Sequence, residues 1–108
     1  MISNQRTING WTVASVTAET IDGNNVAKFK TGLAPLLAPG TRLVLDLGVV
    51  EFMDSAALGA LLTASRTIEA GGGALRLASL TPPVRTLFEL VRLHRVFEIM
   101  NDASEAAA

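Results

Sequence analysis

The sequence has no cysteine, a single histidine and no excess of charge of either sign, and each shortage removes a class of function. Without cysteine there is no disulfide, no thiolate zinc site and no cysteine nucleophile, and the chain suits a reducing compartment. His94 has no second imidazole to share a metal with, so neither a metal centre nor a serine triad has enough to build from, and His94 reads as a surface or structural residue. Nine basic residues against ten acidic ones leave a formal charge of -1, too weak a field to draw the chain onto nucleic acid or an anionic membrane. No apolar run approaches the ~20 residues that cross a bilayer, and Met1 to Gly10 shows no basic stretch followed by an apolar one. There is no Gly-x-x-x-x-Gly-Lys motif, and Gly71-Gly72-Gly73 follows a helical pattern and precedes a strand, the reverse of a phosphate cradle, so it reads as a loop. These absences give the expectation of a cytoplasmic protein that is not an enzyme. No catalytic residue, metal or cofactor is expected, nor direct contact with nucleic acid or insertion into a membrane.

What is present is the composition of one folded domain: 108 residues, 49% hydrophobic and 18% charged. Residues 1–100 are expected to form that domain, and the alanine-rich 101–108 a short tail or a last helical turn. Trp11 to Val16 is a β-branched, partly alternating run and predicts a strand. Val26, Phe29, Leu33, Leu36 and Leu37 fall at helical spacing, with Asp22 or Asn24 placed to cap and with Gly32 and Pro35 weakening the helix. Arg42 to Leu47 has the near-continuous apolar character of a buried parallel strand. Leu58, Leu61, Leu62, Ser65 and Ile68 predict a second helix from Ser55 to Ala70. Ala74 to Ser79 alternates as a strand. Thr81 as cap and Pro82 at the first position then open a third helix with Val84, Leu87, Phe88 and Val91 on one stripe. Val96 to Met100 returns as an edge strand. Strands alternating with helices, joined by right-handed crossovers, predict an α/β domain: a mixed, largely parallel sheet of four to five strands flanked by about four helices.

In open α/β sheets, function gathers where strands end and helices begin. The segment Asp46-Leu47-Gly48-Val49-Val50-Glu51-Phe52-Met53-Asp54-Ser55-Ala56-Ala57-Leu58-Gly59 occupies such a place. It resembles the distinctive motif of the STAS family, the domain of bacterial anti-sigma factor antagonists, in which an aspartate and a serine or threonine open a helix after a hydrophobic turn. Asp54 and Ser55 fall on those positions. Ile21-Asp22 looks like the family's hydrophobic-aspartate pair before the first helix, and Pro83-Val84-Arg85 through Leu93 to Phe97 looks like its third-helix region. The chain departs from the family at Ala56 and Ala57, where serine-glycine is usual, at Arg92, where glycine is usual, and ahead of Ile21, where a glycine is missing.

A serine at the first turn of a helix sits among unpaired amides at the positive end of the helix dipole, so the fold tolerates a phosphate there. Phosphorylation would add roughly 1.5 to 2 negative charges beside Asp54 and near Glu51 and remove electrostatic complementarity to a partner. The resemblance implies a partner switch: the unphosphorylated antagonist sequesters an anti-sigma serine kinase, an ATPase of histidine-kinase-like fold, and the kinase reverses this by phosphorylating Ser55. It also implies Ser55 as phosphate acceptor, Asp54 as its orienting neighbour and cap, Asp22 and Asn24 as contacts on the adjacent loop, and Ala56 and Leu58 as the rest of the patch. The alternative is a constitutive STAS subunit of a lipid-transport ATPase complex or a larger signalling assembly. Asp46 and Glu51 read as strand-end and solvated carboxylates, and Arg85, Arg92 and Arg95 as a small basic set facing water. The oligomeric expectation is a monomer or weak homodimer.

Overall fold

The computed structural model describes the chain from Met1 to Ala108, apart from the side chain of Asn4. The strands are β1 (Ile2–Ile8), β2 (Trp11–Val16), β3 (Thr20–Ile21), β4 (Arg42–Asp46), β5 (Phe52–Met53), β6 (Ala74–Ala78) and β7 (Glu98–Met100). The helices are α1 (Val26–Leu33), α2 (Ser55–Ala70), α3 (Pro82–Leu90) and the single turn α4 (Ala103–Ala106). Five strands form the main sheet in the order β1-β2-β4-β6-β7, and β3 pairs with β5 in a separate two-residue parallel ribbon. All main-sheet pairings are parallel except β1 with β2. The α/β architecture expected from the sequence is the one observed.

Strand order decides where the core sits. From β2 onward each crossover steps one strand in the same direction, and right-handed crossovers that never reverse place their helices on one face. That face holds the main core: Ala14 and Val16 of β2, Leu43 and Leu45 of β4 and Leu75 and Leu77 of β6 meet Phe29 of α1, Leu61 and Ile68 of α2 and Val84 and Phe88 of α3. The full burial of Phe29 and Phe88 contributes about 1.5–3 kcal/mol each. On the other face Trp11, Val13, Val44 and Ala78 are covered by Ala103, Ala106 and Ala107. Trp11 lies there between two guanidiniums, Arg42 at 5.1 Å and Arg76 at 4.3 Å from its ring centre. Arg76 also pairs with Glu98 at 2.9 Å and donates through Nη1 to the carbonyl of Ala106 at 2.7 Å.

Several local expectations are corrected. β1 was not anticipated. Its hairpin turns on Asn9 and Gly10, whose φ of 50° and 81° are the two positive values that a type I′ turn requires. The first helix ends at Leu33 and tightens into a 3-10 turn over Ala34–Leu37, because Pro35 brings no amide to continue the α-helical ladder. Thr81 does precede α3, but its hydroxyl donates to the Val50 carbonyl at 2.6 Å rather than capping. Val91 falls beyond the end of α3 and is 46% exposed, off the buried stripe. The final strand starts at Glu98, after a 3-10 turn over Leu93–Arg95, leaving Val96 outside it. Gly71 to Gly73 is the turn into β6, and a Cβ on Gly73 would collide with the Thr41 carbonyl oxygen.

Candidate functional site

At the carboxyl end of the sheet two loops are stitched together, and Asp54 is the stitch. The β3–β5 ribbon aligns Thr20 with Phe52 and Ile21 with Met53. Backbone bonds extend it, with the Glu51 amide donating to the Glu19 carbonyl at 2.7 Å and the Asp54 amide to Ile21 at 3.2 Å. The two carboxylate oxygens of Asp54 then divide their work. Oδ1 accepts from the Ala57 amide at 3.0 Å, capping α2, while Oδ2 accepts from the Gly23 amide at 3.0 Å, 31 residues away in sequence. The cap and the loop-to-loop link thus rest on one side chain. Charge-assisted bonds of this kind are stronger than neutral ones.

The loop on the other side is pinned from within. Asp22 accepts from the Asn24 amide through Oδ1 at 2.9 Å, and the Asp22 amide donates to Asn25 Oδ1 at 2.9 Å. Asn25 Nδ2 reaches the Thr20 carbonyl at 2.7 Å. Asn25 directly precedes α1 and its side chain does not cap. Of the two expected caps, Asp22 closes the turn that leads into the helix, its carbonyl accepting from the Val26 amide at 2.8 Å and its Oδ1 from the Asn24 amide, whereas the Asn24 side chain makes no hydrogen bond among the described residues. Asp22 is half-buried and Asn24 exposed.

Ser55 is the first residue of α2 and is exposed. Its hydroxyl makes no hydrogen bond among the described residues, and the amides of Ser55 and Ala56 have no intrahelical partner. The result is a free hydroxyl at the positive end of a sixteen-residue helix. The surrounding segments carry Glu19, Asp22, Glu51 and Asp54, so further negative charge at Ser55 is welcomed by the helix end and opposed by the rim.

Of the residues expected to form a patch, Asp22, Asn24, Asp54, Ser55 and Ala56 lie on these two joined loops, with Ala56 half-buried. Leu58 is a correction: it is 9% exposed and belongs to the core, because its position on α2 points it toward the sheet. Asp46 is set apart, accepting from the Gly48 amide at 2.8 Å and lying 3.4 Å from the Ser79 hydroxyl, so it secures the strand end. His94 is exposed on the 3-10 turn, and no group of acidic residues and histidine among the described residues is arranged to hold a metal ion. Sequence reasoning missed Phe52, 55% exposed, which lines a groove of about 210 Å³ with Met53, Val84, Leu87 and Leu90. Its signal was the alternation within β5, which turns Phe52 outward if Met53 faces the core.

This arrangement, a mixed sheet with a capped helix opening on an exposed serine, belongs to a known class. The chain is a member of the STAS domain family, whose family model matches residues 4–106. A protein of Bordetella bronchiseptica named as an anti-sigma factor antagonist, BtrV, is 30% identical over 102 residues, covering 94% of this chain and 87% of that protein. An anti-sigma factor antagonist (STAS) domain protein from Planctomyces limnophilus superposes with a TM-score of 0.87 over 98% of this chain and 94% of the other, at 18% identity. The Bacillus cell fate determinant SpoIIAA, solved in its phosphorylated form, superposes with a TM-score of 0.69 over 99% and 96% of the two chains, at 19% identity. No helix is long and apolar enough to cross a membrane among the described residues.

Proposed function

We propose that the chain is an anti-sigma factor antagonist that works as a phosphorylation-controlled switch. With Ser55 free it binds and sequesters an anti-sigma serine kinase, an ATPase of histidine-kinase-like fold; with Ser55 phosphorylated it releases that partner. The observation that carries this is the state of Ser55: exposed, without a hydrogen-bond partner, and at the first turn of a helix whose cap is supplied by the preceding Asp54. A structural serine at a helix start would itself be the cap. Here Asp54 does that work and leaves the Ser55 hydroxyl free for transfer. The relative named as an anti-sigma factor antagonist and the neighbour that exists in a phosphorylated form support the same function.

The chemistry asked of this chain is modest. The kinase supplies ATP and its own transfer machinery. The antagonist presents a hydroxyl on a rigid helix start and keeps the Gly23 loop fixed beside it through Asp54. After transfer, up to two added negative charges appear among Asp22, Asp54 and Glu51, and a partner surface matched to the neutral serine no longer fits. The α2 amino end accommodates the phosphate, so the domain stays folded while the complex dissociates.

The test is binding of purified variants to the histidine-kinase-like ATPase encoded nearest the gene. Ser55→Asp is expected to weaken binding by at least an order of magnitude, while Ser55→Ala binds like wild type and cannot be released by ATP. Equal binding by Ser55→Asp and wild type would overturn the switch and favour a constitutive subunit.

A further inference from the structure

One peptide unit of the segment that leads to Ser55 is held at both of its polar groups. The Val50 carbonyl accepts from the Thr81 hydroxyl at 2.6 Å, and the Glu51 amide, the other half of the same peptide, donates to the Glu19 carbonyl at 2.7 Å. The two partners come from distant segments, the loop before α3 and the residue before β3. Because the peptide is planar, holding its oxygen and its N–H fixes the direction in which the chain leaves it. From there the chain runs through β5 and Asp54 into Ser55. Among the described residues, the Thr81 hydroxyl is the one side-chain group bonded to the backbone between Gly48 and Asp54.

Thr81 and Ser65 are the buried polar side chains among the described residues. A buried hydroxyl destabilises unless it is bonded, and Thr81 spends its bond away from its own helix. It stands at the N-cap of α3, yet no side-chain cap bond forms. Pro82 and Pro83, the first two residues of α3, bring no amides, so this helix end has fewer donors to satisfy and the hydroxyl is free to serve elsewhere. The neighbours of Thr81 grip only the end of β4: the Leu47 amide donates to the Ala78 carbonyl at 3.0 Å, and the Ser79 hydroxyl lies 3.4 Å from Asp46 Oδ2. Thr81 carries that grip forward to Val50, whose own side chain is fully buried.

We propose that Thr81 is a positioning residue for phosphoryl transfer to Ser55: its hydroxyl holds the Val50–Glu51 peptide so that β5 delivers the start of α2 to the kinase in one fixed orientation. This rests on the proposed function and deepens it. Asp54 ties the acceptor to the loop before α1, and Thr81 ties the approach to it to the loop before α3. An acceptor hydroxyl must meet the transferred phosphoryl group in line, and a displacement of about 1 Å is enough to slow such a step by orders of magnitude. The Asp22 and Gly23 contacts depend on the Asp54 tie and not on Thr81. Loss of the Thr81 hydroxyl is therefore felt in turnover and little in recognition.

The experiment compares wild type, Thr81→Val, Thr81→Ala, Thr81→Ser and Val13→Ala, the last weakening the core on the sheet face away from α2. Steady-state phosphorylation by the histidine-kinase-like ATPase encoded nearest the gene is measured well below every melting temperature, with Ser55→Ala as the blank. Amide hydrogen exchange from Glu51 to Asp54 is followed in the same samples. Thr81→Val and Thr81→Ala are expected to lower kcat about tenfold with KM within about twofold of wild type, and to speed exchange at Glu51. Thr81→Ser keeps a hydroxyl and restores both. Val13→Ala melts lower but keeps wild-type kcat and wild-type exchange at Glu51. Two variants lack the hydroxyl, so one that fails to fold leaves the other to decide. Wild-type kcat in a folded Thr81→Val or Thr81→Ala, or a loss no larger than that of Val13→Ala, makes Thr81 merely structural: the inference is overturned and the switch stands. A raised KM at unchanged kcat overturns it as well, because the hydroxyl then serves recognition. If wild type itself takes no phosphate at Ser55, the switch and this inference fall together.

Discussion

Asp54 and Ser55 are neighbours with opposite energetic standing. Asp54 is held by two amides from separate segments, so Asp54→Ala removes a helix cap and a loop link together. The expected loss is about 2–3 kcal/mol, of which the cap alone accounts for about 1. Asp54→Asn retains an oxygen for the Ala57 amide and should lose less. Chemical denaturation of the two variants checks both, and an Asp54→Ala as stable as wild type would show that the link carries no weight. Ser55, exposed and unbonded, should tolerate alanine within about 0.5 kcal/mol. The separation of the two effects is what allows a switch: charge at Ser55 can change binding while Asp54 keeps the scaffold.

At the scale of elements, Gly73 is the position with the least freedom. A Cβ there overlaps the Thr41 carbonyl and crowds Ile68, so Gly73→Ala must shift the start of β6 against the loop before β4. A loss of about 2–4 kcal/mol is expected by urea titration, in the range of an overpacked core site. The elements most legible in the sequence were those with long apolar periodicity: α2, β4 and β6 each carry their pattern from end to end. β1 was illegible because Ile2–Ile8 reads Ile-Ser-Asn-Gln-Arg-Thr-Ile, apolar only at its ends, and its register shifts between Ser3 and Arg6. The Asn9-Gly10 pair, a turn signal that the sequence reading passed over, was the only local trace of the hairpin. The sequence left the cap ahead of α1 open between Asp22 and Asn24, and only the fold shows that Asp22 takes the Asn24 amide and closes the turn into the helix. The Asp54-Ser55 pair was legible as a motif, whereas the link to Gly23 joins residues 31 apart and leaves no local trace.

For the whole molecule, crossovers that never reverse direction crowd three helices onto one face and leave the other to α4. That cover is thin, three alanines and one hydrogen bond from Arg76. Removal of residues 102–108 is expected to cost about 2–4 kcal/mol from lost methyl burial and the Arg76 bond, and to leave the domain folded. Trp11 is the one tryptophan of the chain and is 5% exposed beneath this cover, so its emission should shift to the red on truncation. An unshifted spectrum would mean that α4 does not shield it. The same truncation should leave partner binding intact, because Ser55 opens α2, which packs on the opposite face of the sheet from α4. The proposed switch turns on chemistry at one hydroxyl. Incubation of the protein with ATP and the histidine-kinase-like ATPase encoded nearest its gene, followed by intact mass and peptide mapping, tests it most directly. One phosphate on Ser55, absent from Ser55→Ala, is the expected result. A stable complex that never becomes phosphorylated at Ser55 would contradict it.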